Sequence, residues 1–191
     1  SSAAWAAGYT GAGSRIAIID TGADVDHPSL DPDALKYALQ GSNATIMTEA
    51  DLTDEVLNQL NAYTRKAGLT AADFYVNEKI PFGFNYVDAD TDITHDNDTQ
   101  GDHGSHVTGI AAGNRFVKDE AGNYVAALDS VMTQGVAPDA QILTMKVFGK
   151  RGGAYDSDYM VAIEDAMVLG ADAANLSLGG SFPGYSEYTE E

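Results

Sequence analysis

The sequence predicts an α/β domain built on a doubly wound, mostly parallel sheet with helices on both faces. Three observations predict it: short apolar runs that read as buried strands, helix-period segments between them, and an acid closing the first run. "RIAIID" (15–20), followed by "TG", is a strand with a turn at its carboxyl end. Residues 51–67 place Leu52, Val56, Leu60, Tyr63 and Ala67 on one helical face, with Asp51 as N-cap and Gly68 as stop. "FGFNYV" (82–87) alternates aromatic with small or polar residues and is the second strand. Residues 103–112, rich in Gly, Ser and Ala, form a helix closed by "GN". "QILTMKVF" (141–148) is the third strand, entered through the turn "APDA". Ser157 caps a helix running to Leu169, with Tyr159, Ile163, Ala166 and Met167 inward and Gly170 ending it. "AANLSL" (173–178) is the fourth strand, stopped by Gly179 and Gly180. Ligands of such sheets gather at the carboxyl ends of strands, and Asp20 stands at one.

Composition narrows the function. With 191 residues there is room for one domain, and 44 % hydrophobic content with five prolines is globular. A net charge of −19 repels phosphate backbones and anionic lipid, which speaks against nucleic acid as a partner. The absence of cysteine removes disulfides, thiolate catalysis and Cys-ligated zinc together. No apolar run reaches the ~18 residues of a membrane span, and no signal-peptide pattern stands at residue 1. The acidic stretch "DADTDITHDNDTQGD" (88–102) reads as a solvated loop. A calcium-binding loop is the sharper alternative, although the EF-hand spacing is absent.

Chemistry is concentrated in "GDHGSHVTG" (101–109). Of the four histidines, His27, His95, His103 and His106, only His103 is flanked by glycines. Placed in the first turn of a closely packed helix, its ring can face a site while its backbone stays fixed. A general-base histidine needs a carboxylate on its other ring nitrogen, and Asp20 can supply one. A metal-dependent alternative would draw on His95, Asp98, His103 and His106, but no HExxH pattern supports it.

"AIIDTGADVDHPSL", "GDHGSHVTGIAAG" and "NLSLGG" resemble, in order and spacing, three signatures of the subtilisin-like serine proteases. "IPFGFNYVDAD" and "MKVF" look like segments of the large Gram-positive cell-envelope proteinases, the group containing lactocepin and the streptococcal C5a peptidase. The resemblance spans about Trp5 to Gly180. It implies that Asp20 is the triad aspartate, that His103 is the catalytic histidine and that His106 is not catalytic. It also implies that Ser177, Leu178, Gly179 and Gly180 form the edge that pairs with substrate, with Gly153 near the opposing edge. Such an arrangement would bind an extended polypeptide by β-augmentation. The implied protein is bacterial, secreted or cell-wall-associated, and needs no cofactor for its chemistry.

Four departures qualify the resemblance. The family serine belongs to a "GTS-M-[AS]-x-P" motif that no serine here matches, Ser181 of "GGSFPG" included. The oxyanion asparagine is unmatched as well: Asn114 reads as a helix-end residue in the left-handed region, Asn175 as a structural hydrogen-bonder. Nucleophile and oxyanion donor are therefore expected in the remaining C-terminal part of the catalytic domain, and residues 1–191 alone should be inactive. A peptide-binding module without catalysis is the alternative. Ser29 replaces an acid that ligates calcium in many relatives, so a structural calcium has no assigned ligand here. Finally, 82 residues separate Asp20 from His103. Residues 31–80 are read as an insertion flanking the cleft, dispensable for cleavage of small peptides.

Overall fold

The computed structural model describes residues 1–96 and 98–179. Its strands are β1 (Arg15–Asp20), β2 (Phe82–Asn85), β3 (Phe116–Lys118), β4 (Tyr124–Ala126), β5 (Gln141–Lys146) and β6 (Ala173–Asn175). Its α-helices are α1 (Ser2–Ala6), α2 (Pro32–Ala38), α3 (Asp54–Leu57), α4 (Asn61–Arg65), α5 (Ala71–Phe74), α6 (His103–Ala112), α7 (Ala127–Ser130) and α8 (Asp156–Val168). Four strands form a parallel sheet in the order β2-β5-β1-β6, and β3 with β4 makes a small antiparallel pair.

Strand periodicity divides the core. Ala17 and Ile19 of β1, with Leu143 and Met145 of β5, face one cluster that includes Leu57, Leu60, Phe74, Ala162 and Ala166. Ile16 and Ile18 of β1, with Ile142 of β5, face the other, which includes Leu30, Ile80, Ile93 and Ala112. Helix α8 and the 52–74 segment thus cover one face and α6 the other, the doubly wound arrangement expected from the sequence. Expected strands are trimmed at their ends. β2 stops at Asn85 because its side-chain oxygen accepts from the Val87 and Asp88 amides and turns the chain. β5 stops at Lys146, and β6 at Asn175, so Leu176, Ser177 and Leu178 lie beyond the strand.

The single helix expected over 51–67 is instead a 3-10 turn (Glu49–Asp51), α3 and α4. Local and tertiary capping explain the breaks. Asp51 closes a capping box with Thr48 rather than acting as an N-cap, and Thr53 accepts from the Val56 amide to start α3. The buried carboxylate of Asp165, on α8, then takes the Asn61 and Ala62 amides at 2.7 and 2.9 Å and starts α4. In α8 itself the N-cap is Tyr155, and Ser157 lies inside the helix. Asp158, Ala162, Asp165 and Ala166 face inward, whereas Met167, expected inward, is 68 % exposed.

Residues 31–80 form the crossover from β1 to β2. The chain leaves the carboxyl end of β1 through residues 21–30, and the segment returns level with the strand starts, where the Lys79 carbonyl accepts from the Ile142 amide. Neither root of this segment therefore lies near Asp20, because the Asp31 carbonyl accepts from Asn114 Nδ2 past the far end of α6, whereas the segment was expected to flank the cleft. Lys79 is fully buried there, its ammonium donating to the Pro138 and Ala140 carbonyls at 2.9 and 2.8 Å.

Candidate active site

Asp20 ends β1 with 1 % of its side chain exposed. Its Oδ1 accepts from the Thr21 amide at 2.7 Å and lies 2.7 Å from Nδ1 of His103, the first residue of α6. With a carboxylate opposite, Nδ1 carries the proton and donates, which leaves Nε2 as the acceptor nitrogen. Half of the His103 side chain is exposed. A buried anion thus orients a ring whose other edge meets solvent.

Backbone packing fixes this pair. Gly22, at φ +108°, turns the chain away from β1, and the neighbouring Ala23 amide donates to the Ile93 carbonyl at 2.9 Å. A Cβ on Gly104 would collide with the Gly22 carbonyl oxygen, so α6 approaches the Asp20 turn as only glycine permits. The Gly104 amide donates to Thr21 Oγ1 at 2.8 Å, and Ser105 Oγ accepts from the Asp24 amide at 2.7 Å. Lys146 faces Asp20 across the β1–β5 ladder. Its buried ammonium donates to the Thr21 carbonyl at 2.6 Å and to the Asp98 carboxylate.

The other expected residues fall elsewhere. His106 lines a separate cleft of about 400 Å³ with His27, His95, Asp24, Asp102 and Ile110. Among the described residues no three His, Asp or Glu side chains converge as metal ligands, and Asp98 is engaged by Lys146. In the acidic loop, Lys150 lies 3.9 and 3.1 Å from Asp90 and Asp92, and Asp88 accepts from Asn85 Nδ2. Asn114 is not in the left-handed region. It is buried past the far end of α6, where its amide donates to the Ser29 carbonyl and its Nδ2 to that of Asp31. At ~1.5 Å rise per residue, the helix holds it roughly 15 Å from His103. Asn175 Oδ1 accepts from Ser177 Oγ at 2.9 Å. Ser177 and Gly179 are exposed, and Leu178 leans on the core. Gly153 lies in open space in the loop before α8. Gly180 and Ser181 fall outside the described residues.

Thr21 and Lys146 were not among the sequence candidates, and Asp98 was named only as a candidate metal ligand. The signal for Lys146 was present: a cation inside an otherwise uncharged strand, "QILTMK".

A parallel sheet with an acid at one strand end, paired to the first histidine of a glycine-packed helix, defines a hydrolase-type constellation. The sequence pattern of the subtilase family matches residues 11–191, and the chain belongs to that family. It is 35 % identical, over 90 % of its length, to the PI-type proteinase of Lactococcus lactis subsp. cremoris, of which it spans 8 %. Minor extracellular protease Vpr of Bacillus subtilis is 30 % identical over 93 % of the chain and 15 % of Vpr. The C5a peptidase of Streptococcus pyogenes serotype M6 is 29 % identical over 95 % of the chain and 13 % of that protein. Among the described residues no helix is long and apolar enough to cross a membrane.

Proposed function

We propose that the complete protein is a serine endopeptidase in which Asp20 and His103 are two members of the triad. The observation that carries this reading is the 2.7 Å contact between His103 Nδ1 and buried Asp20, with the imidazole half exposed. The nucleophilic serine and the oxyanion donor are supplied by chain beyond these residues. The serine oxygen attacks the scissile carbonyl carbon while its proton passes to His103 Nε2. Asp20 stabilises the imidazolium, which then protonates the leaving amine, and water hydrolyses the acyl-enzyme by the reverse transfers. No cofactor takes part. Ser177, Leu178, Gly179 and Gly180 serve as one edge of the peptide cleft, with Gly153 near the other; the exposure of Ser177 and Gly179 supports the first assignment. The bacterial sources of its relatives, with Vpr named an extracellular protease, support a bacterial protein acting outside the cell. A binding module without catalysis would have no use for the Asp20–His103 pairing.

In the complete protein, His103→Ala is expected to lower kcat by about 10⁴- to 10⁶-fold and Asp20→Asn by about 10⁴-fold. His106→Ala, whose ring lines the separate cleft, should act mainly through stability. A folded His106→Ala protein as inactive as His103→Ala would overturn the assignment.

A further inference from the structure

Thr21 joins both sides of the Asp20–His103 pair. Its amide donates to Asp20 Oδ1, and its hydroxyl accepts from the Gly104 amide beside His103. Its remaining polar group, the carbonyl, takes the ammonium of Lys146, which is fully buried. The same ammonium holds Asp98, five positions before His103 on the loop that enters α6. Lys146 is itself fixed from both sides. It faces Asp20 in the β1–β5 ladder, its carbonyl accepts from the Tyr86 amide at 2.8 Å, and the next amide, Val147, donates to the Asp20 carbonyl at 2.9 Å. One cation thus pins the turn after Asp20 and the loop before His103 to a single strand end.

Stability alone does not account for such a pair. Burying two charges costs several kcal/mol per ion, and apolar replacement of buried pairs is often neutral or stabilising. What the pair supplies is directional: two hydrogen bonds from one rigid point to the two segments whose relative position sets the triad geometry. We infer that Lys146, through Asp98 and the Thr21 carbonyl, is a positioning residue that holds Asp20 and His103 in hydrogen-bonding register. The inference rests on the peptidase reading above and deepens it.

The test uses the complete protein as wild type, Lys146→Met, Asp98→Asn and the double variant. Competent sites are titrated with a fluorophosphonate, and kcat per titrated site and KM are measured on a small peptide. Misplacement by about 1 Å costs on the order of 10²-fold. Each single variant should therefore lose about 10- to 100-fold in kcat per titrated site, with KM little changed. The double should be no worse than Lys146→Met, because both changes cut one tie. A kcat per site equal to wild type, with losses only in titratable fraction or Tm, overturns the inference, as do strictly additive effects. Should Lys146→Met fail to fold, the near-isosteric Asp98→Asn decides alone. If wild type neither labels nor hydrolyses, the peptidase reading fails, and the His103 Nδ1–H proton resonance still reads the tie. Loss or displacement of that resonance in Asp98→Asn supports positioning, and an unchanged resonance refutes it.

Discussion

Lys79 and Lys146 are both fully buried amines, yet their surroundings differ. Lys146 has a carboxylate partner, whereas Lys79 donates to two carbonyls, and burial pushes its ammonium down to about 7 against the pull of Asp139. The unfolded chain keeps that proton up to its ordinary value of 10.5. Between about 7 and 10.5 the unfolded state therefore binds more protons, so stability rises with pH there, and the burial cost is present in full below pH 7. Urea unfolding of wild type and Lys79→Met at pH 6.5 and 9.5 checks this. Wild type should gain on the order of 2–3 kcal/mol over the variant at the higher pH, and a pH-independent difference would contradict it. Gly104→Ala probes the packing at the Asp20–His103 pair. Its Cβ would meet the Gly22 carbonyl and lie 3.0 Å from Thr21 Oγ1. A cost of about 1–3 kcal/mol is expected in thermal unfolding, with reduced turnover.

Residue-scale legibility was uneven for a physical reason. Asp20 and His103 each carry a local pattern, an acid after an apolar run and a histidine between glycines, so their pairing was readable. Thr21, Asp98 and Lys146 meet only once three separate segments are folded together, and nothing near any one of them names the others.

At the scale of elements, the strands were legible because their apolar runs are short and bounded by turn residues, while the 51–67 helix was not. Its apolar stripe fits one helix, but Asp165 lies 104 positions beyond Asn61 and restarts the helix there. Burial raises the affinity of this carboxyl for its proton, opposed by the Ala62 and Asn61 amides and by the Tyr86 hydroxyl. Asp165→Ala should leave those donors unpaired and cost about 2–5 kcal/mol in thermal unfolding. Asp165→Asn, which keeps one acceptor oxygen, should cost less. An Asp165→Ala protein as stable as wild type would show that α4 is held by packing alone.

For the whole molecule, the crossover is part of the core. Residues 31–80 bury Leu52, Leu57, Leu60, Ala62 and Phe74 in the cluster that α8 shares, so a Gly/Ser linker in their place strips that sheet face of one of its two covering segments. The expected outcome is loss of folded catalytic domain by near-UV circular dichroism, rather than retained hydrolysis of small peptides. A folded, active deletion protein would restore the view of this segment as an appended flank. Helices on both faces were legible from strand–helix alternation; the return of 31–80 to the far end of the sheet was not, because strand order β2-β5-β1-β6 is a tertiary fact.

The central claim is that His103, oriented by Asp20, activates a serine supplied by chain beyond these residues. Fluorophosphonate labelling of the complete protein, with the adduct mapped by mass spectrometry in wild type and in His103→Ala, tests it most directly. The account predicts one adduct, on a serine outside residues 1–191, and its loss in His103→Ala. An adduct on a serine within residues 1–191, or labelling undiminished without His103, would contradict it.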